Sequence, residues 1–255
     1  MPYPQTERIY RLYIDYLGHR VSKDGIRMRE AFIEKVVEWP TPDTIKSLNT
    51  FLGFTGYYRN YIPEYSFLTN EMNDQKKREK LEWTEVMQEK FEKLKEYFKK
   101  NPIRSYPRYD LPDKFILTTD FSQDNLGAIL SQVQEGQERM ITATGRKTTS
   151  HEKNYPSHKG ELAAIIYGLT QLEHILRYRP VLTDSGALKY RHNLMDTKGI
   201  MARWMNAIQS YEMEILHLPG KKNQAADAMS RSSHLPLPTD EEKENKLNTS
   251  TQWRL

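Results

Sequence analysis

Apolar and polar positions change their spacing along this chain, and the changes mark out its elements. Residues 13–21 are apolar and rich in β-formers, and Lys23-Asp24-Gly25 supplies a turn after them. Ala31, Phe32, Val36, Val37 and Trp39 then recur at roughly helical spacing, predicting a helix over 29–39 that Pro40 and Pro42 stop. Asp43 is placed to cap a second helix, whose inner side carries Leu48, Phe51, Leu52 and Phe54. Tyr57, Tyr58 and Tyr61 follow, and Pro63 ends the run. Residues 74–80 read as a basic, irregular stretch. Residues 86–98 then predict an amphipathic helix with Phe91, Leu94 and Phe98 facing inward.

After about residue 105 the period shortens. Residues 114–120, 125–133 and 138–144 are strand candidates, with Glu135-Gly136 as the hairpin turn between the last two. The strongest helix spans 157–176, apolar at Leu162, Ala163, Ile165, Ile166, Leu169, Leu172 and Ile175. A short strand over 180–184, a short helix over 186–194, a helix over 200–208, a strand over 213–218 and a helix over 223–230 complete the pattern. Strands first, then strands alternating with helices, predict a mixed α/β sheet. From residue 232 the periodicity is gone and DEEKENKLNTST reads as a tail or linker without a core. The expected division is 1–105, 106–231 and 232–255.

Composition narrows this picture. An apolar share of 37% is low for one large core and suits a chain in more than one piece. A net charge of +4 is too small to indicate a nucleic-acid partner by itself, because clustering is what counts. The absence of cysteine excludes disulfides and thiolate metal sites. No apolar run reaches the roughly 18–20 residues that span a bilayer, and MPYPQTERIYRLY lacks the basic-then-apolar order of a signal peptide. An intracellular chain without a membrane partner is the expectation, with cytoplasm and nucleus both open.

Four acidic residues fall at ends of predicted elements. Asp120 ends a strand, Glu161 lies near the start of the long helix, Asp184 ends the next strand and Asp227 opens the last helix. Such positions gather at one rim of an α/β sheet, where sites form. Magnesium takes oxygen ligands, typically one or two carboxylates with waters and phosphate oxygens. Two such ions, about 4 Å apart, can clamp the attacking and leaving oxygens of a phosphoryl displacement. Spacing alone does not single out these four among 34 acidic residues.

Their surroundings do. TTDFSQDNLGAILSQ (118–132) resembles the first strand pair of the ribonuclease H domain in gypsy-type long-terminal-repeat retrotransposons. GRKTTSHEKNYPSHKGELAAIIYGL (145–169) resembles the segment that carries the catalytic glutamate of that family, and RYRPVLTDSGALKY (177–190) its second aspartate segment. DTKGIMARWMNAIQSYEMEI (196–215) and LPGKKNQAADAMSR (218–231) follow in the same order. The resemblance implies a ribonuclease H-like mixed five-stranded sheet with flanking helices. It implies that Asp120, Glu161, Asp184 and Asp227 hold two magnesium ions, or manganese, against an RNA–DNA hybrid. His217 falls where related enzymes keep a residue that assists product departure or proton transfer. A histidine packed at a strand end is an equal reading.

The resemblance extends upstream. YLGHRVSKDGI (16–26) and WPTPDTIKSLNTFLGFTGYYRNYIPEYS (39–66) resemble the end of the palm and the thumb of the same elements' reverse transcriptase. LEWTEVMQEKFEKLKEYF (81–98) resembles the connecting helix after it. Tyr57, Tyr58 and Arg59 then become candidates for packing on a sugar–phosphate backbone, although Tyr57 and Tyr58 also suit a helical core. The paired catalytic aspartates of the polymerase have no counterpart, so no DNA synthesis is expected from this chain alone.

Three departures bear on activity. Only Val181 and Leu182 separate Pro180 from Thr183, two residues fewer than the family's usual strand, which keeps the face of Asp184 but shortens its reach. Lys159 stands where the family has an acidic residue, and its ammonium would compete with a cation. Gly160 beside it should cost the helix about 1 kcal/mol. Ser185-Gly186 replaces a pair that is commonly histidine and a small residue. Three functions follow: a hybrid-cleaving endonuclease, a non-catalytic binding module, or a scaffold for a separate polymerase-bearing chain.

Overall fold

The computed structural model describes residues 12–112, 114–183, 199–211 and 213–215. Three short antiparallel strands come first, β1 (Tyr13–Tyr16), β2 (His19–Ser22) and β3 (Gly25–Met28), paired in that order. The single apolar run expected over 13–21 is thus two strands. Leu17 (φ 45°) and Gly18 (φ 82°) turn the chain between them. A leucine in the left-handed region is not one of the usual turn residues, which hides this hairpin from sequence.

Four helices follow, α1 (Glu30–Val37), α2 (Ile45–Gly56), α3 (Tyr65–Gln75) and α4 (Glu85–Lys99). Thr44, rather than Asp43, caps α2. The Thr44 Oγ1 accepts from the Ser47 amide at 3.1 Å, and the Ser47 Oγ accepts from the Thr44 amide at 3.1 Å. Asp43 accepts from the Ser47 hydroxyl instead. α3 has no counterpart among the expected elements, because it buries Thr69, Asn70 and Gln75 beside Leu68 and Met72, so its apolar stripe is faint. Val36, Leu48, Phe51, Leu68, Met72, Phe91, Leu94 and Phe98 close the core that these helices share.

The second core lies under a five-stranded sheet. β4 (Phe115–Phe121), β5 (Asn125–Gln134) and β6 (Gln137–Lys147) form an antiparallel meander, and β7 (Val181–Thr183) and β8 (Met213–Ile215) extend it in parallel. The order is β6-β5-β4-β7-β8. Glu135 (φ 56°) and Gly136 (φ 76°) make the two-residue turn that the right-handed twist of a hairpin favours. Helix α5 (Ser157–Gln171) packs on β4 and β5, and α6 (Glu173–Leu176) and α7 (Ile200–Gln209) come after it. The helix expected over 157–176 is therefore broken, at Leu172 (φ −109°, ψ 10°). Leu117, Leu130, Leu162, Ile165, Leu176 and Val181 are fully buried between sheet and helices. The expected class holds: a mixed five-stranded sheet with flanking helices, preceded by a mostly helical region. The expected helices over 186–194 and 223–230, residues 216–218 of the last strand and the tail from 232 lie outside the described residues.

Among the described residues the helical region meets the sheet along β5 and β6. α3 lies against β5 and β6, where the Ser66 hydroxyl donates to the Asn125 Oδ1 at 3.2 Å. Gly145 of β6 allows that approach: a Cβ there would come within 3.5 Å of the Ser66 Cβ and 3.1 Å of the Leu126 carbonyl oxygen. Further along β6, the Ser105 amide donates to the Met140 carbonyl at 2.8 Å, and the Arg104 Nε to the Ile141 carbonyl at 3.0 Å. Arg104 also pairs its backbone with Ile26 of β3. Among the described residues, no helix is long and apolar enough to cross a membrane.

Candidate active site

Asp120 is the last residue but one of β4, opposite Gly127 of β5. Side chains alternate along a strand, so Leu117 and Phe121 face α5 and Asp120 faces the other side of the sheet. Its carboxylate is half-buried. Burial pushes its pKa up from the usual 3.8, and the nearby Glu64 carboxylate adds to the rise, against a backbone hydrogen bond at Phe121. No lysine or arginine among the described residues offsets that charge.

Glu161 lies in the second turn of α5, half-buried. The contact that brings it to β4 is made by its neighbour. A Cβ built on Gly160 would fall inside the ring of Phe121, so only glycine lets the helix start close on the strand end. Phe121 adjoins Asp120 and Gly160 adjoins Glu161. The glycine expected to weaken the helix is therefore what seats it. Lys159 lays its ammonium 3.9 Å over the centre of the Tyr155 ring.

Two ion pairs steady the approach to α5. Arg146 at the end of β6 grips Glu152 with two hydrogen bonds of 2.7 Å, which holds the Glu152 carboxyl down at about 2. Lys153 reaches Asp124, in the β4–β5 turn, at 2.7 Å. The same turn is closed by Ser122, whose Oγ accepts from the Asn125 amide at 3.0 Å. None of these pairs is legible from sequence spacing, nor is the closeness of Glu64 to Asp120.

Asp184, His217 and Asp227 lie outside the described residues. β7 ends at Thr183, which is fully buried and in register with Leu117 of β4. Among the described residues no three histidine, aspartate or glutamate side chains gather as a metal site. The oxygen donors that are described, Asp120 and Glu161, suit a hard divalent cation. The fit is strongest at Asp120, a half-buried carboxylate that makes no ion pair among the described residues.

Of the three residues offered for nucleic-acid contact, Tyr58 is a correction. It is 1% exposed, with its hydroxyl donating to the Gly18 carbonyl at 3.2 Å, and so belongs to the helical core. Tyr57 is 56% exposed, but its hydroxyl is spent on the Leu17 carbonyl at 2.8 Å and its ring stacks on His19. Arg59 is exposed and makes no ion pair among the described residues.

Residues 83–183, which hold α4, the meander and α5, match the family model of the RNase H-like domain found in reverse transcriptase. Over 221 residues, 85% of the chain, the sequence is 37% identical to the retrovirus-related Pol polyprotein from transposon 297 of Drosophila melanogaster. The chain belongs with the retrotransposon Pol polyproteins. Another Pol relative, from the gypsy transposon of the same fly, is 31% identical over 90% of the chain. A Tf2-3 transposon polyprotein of Schizosaccharomyces pombe is 29% identical over 94% of it. The chain spans about a fifth of the length of these Pol polyproteins, 20%, 23% and 18% respectively. Its fold is shared with the foamy viral protease-reverse transcriptase. One such structure, in complex with double-stranded DNA, covers 82% of the chain and is covered to 38%, with a TM-score of 0.66 at 15% identity. Another, in complex with an RNA/DNA hybrid, covers 90% and is covered to 31%, with a TM-score of 0.65 at 16% identity.

Proposed function

We propose that this Pol segment is a ribonuclease H that hydrolyses the RNA strand of an RNA–DNA hybrid. The observation that carries the reading is Asp120: a half-buried carboxylate at the end of the central strand that makes no ion pair among the described residues, and whose neighbour Phe121 packs on Gly160, next to Glu161. Asp120 and Glu161 would hold divalent magnesium or manganese, with Asp184 and Asp227 completing a set of four carboxylates for two ions. When bound, such ions lower the pKa of an attacking water and stabilise the departing 3′ oxygen. The protein's own work is placement. β4 presents the Asp120 oxygens at the rim of the sheet, and the Arg146–Glu152 and Lys153–Asp124 pairs hold the segment from which α5 begins. His217 would assist proton transfer or product departure. Preference for the RNA strand would come from 2′-hydroxyl contacts and hybrid shape. In the same reading residues 1–105 are palm end, thumb and connection, 106–231 the nuclease and 232–255 a linker.

The test is cleavage of a labelled hybrid with magnesium by the chain and by its Asp120→Asn and Glu161→Gln variants. A metal ligand contributes several kcal/mol to the transition state, so each variant should be slower by about a hundredfold or more. No cleavage by the parent chain, or equal cleavage by all three proteins, would sink the reading.

A further inference from the structure

Glu64 is an unusual cap. It is the N-cap residue of α3, yet its carboxylate makes no bond to the first turn of that helix. The side chain is 9% exposed and turns to α4 instead, where the Lys93 ammonium donates to its Oε2 at 2.8 Å. Tyr97, one turn further along α4, faces the same carboxylate. Burial first, and Glu64 second, push the Tyr97 hydroxyl well above its usual pKa. An ionised carboxylate accepts at about four lone-pair positions, so these two partners leave Glu64 able to accept more. Lys93 and Tyr97 therefore fix where the carboxylate sits without exhausting it.

Its neighbours decide its use. Asp120 is in register with Gly127, and Gly127 with Gly145, so the three share one face of the sheet. Ser66, two residues after Glu64, lies over the Gly145 end of that row. Its hydroxyl donates to the Oδ1 of Asn125, which is two residues before Gly127 and so on the same face. Asn125 is 8% exposed, and its Nδ2 is buried with no partner among the described residues. A buried amide donor of this kind calls for an acceptor such as an ordered water. Glu64 acts on Asp120 itself, as the charge among the described residues that adds to its rise. Two carboxylates on one half-covered face repel each other, and a divalent cation at Asp120 removes that repulsion. Magnesium keeps several of its waters, and groups that accept from those waters hold the metal in place. We propose that Glu64 is a positioning residue of the metal centre, accepting from water on the cation that Asp120 holds. The centre is then completed by a residue of the helical region, with Lys93 as its brace. The inference rests on the nuclease reading for its cation, and it can fail while that reading stands.

The test is manganese binding by the full chain, followed by titration calorimetry without nucleic acid. Glu64→Gln should weaken binding about tenfold or more, as loss of an outer partner does. Lys93→Met breaks the same ion pair but leaves the carboxylate, so it should bind at least as tightly as the parent. If the pair were only a strut between α3 and α4, both variants would lose alike. Glu64→Gln combined with Lys93→Gln replaces the pair by two amides and keeps the net charge. A tenfold loss that persists there reads the contact and not a distant field, and this chain serves where Glu64→Gln alone does not fold. Asp120→Asn, which removes an inner ligand, should weaken binding further than any of these. Parent affinity in a folded chain without the Glu64 carboxylate, or equal losses in Glu64→Gln and Lys93→Met, overturns the assignment. If Asp120→Asn still loses manganese in that case, the cation at Asp120 survives. No uptake by the parent overturns both. Glu64-dependent binding with no hybrid cleavage in magnesium refutes the nuclease and leaves the role of Glu64 standing.

Discussion

At Asp120 the surroundings that suit a metal also cost stability. Folding raises its pKa, so the protonated acid is favoured in the native state. The contribution is therefore most favourable below the usual 3.8 and is lost as pH climbs through the raised value. Asp120→Asn should melt above the parent chain at neutral pH, with the gap closing below about pH 4. Magnesium should raise the melting temperature of the parent and leave the variant unmoved, as calorimetry would show. Glu152 has the opposite sign. Arg146 holds its carboxyl at about 2, so its stabilisation is full above the usual 4.5 and fades as pH falls toward 2. Glu152→Gln should accordingly destabilise at neutral pH and be neutral near pH 2 in the same melts. Gly160→Ala tests the seat of α5. Alanine favours a helix over glycine by about 1 kcal/mol, yet its methyl would displace Phe121 at a cost of about 1–3 kcal/mol. A net loss of stability and of hybrid cleavage together is the expected result.

Among the elements, α3 and α4 are joined by one cation. Lys90 is buried, with its ammonium 2.7 Å from both oxygens of Glu71, 3.2 Å from the Asn70 Oδ1 and 3.9 Å from the centre of the Phe67 ring. Lys90→Met should destabilise by about 1–3 kcal/mol, since it removes the ammonium that the Phe67 carbonyl and the Glu71 carboxylate share, while the Asn70 Oδ1 keeps the Glu71 amide. Equal midpoints for the two proteins in urea would refute that. The contrast between α3 and α4 shows what a sequence can reveal. α4 was legible because Phe91, Leu94 and Phe98 recur on one face, and Thr84 caps it by accepting from the Met87 amide. α3 was not, because polar residues fill part of its buried side and find partners only in the folded chain. At the candidate site, Asp120 was legible from the motif around it, and so was the placing of Glu161 on a helix. The Phe121–Gly160 contact was not, since it pairs residues from separate elements and depends on how closely the helix approaches the strand.

Across the whole molecule, the two cores are linked at β6. α3 approaches it at Gly145, and residues 104–105 hydrogen-bond to its carbonyls farther along. The expected division at residue 105 follows a real change of pattern, but it falls beside these bonds. β6 is the last strand of its sheet, and the Met140 and Ile141 carbonyls accept from Ser105 and Arg104. A chain begun at Tyr106 would uncover both acceptors on an eleven-residue strand. Bare strand edges are templates for another copy. Such a truncation should self-associate in sedimentation at concentrations where the longer chain does not, even with the core under its sheet intact. Residues 104 and 105 thus do more than connect: with α3 they cover a strand edge with which a second copy could otherwise pair.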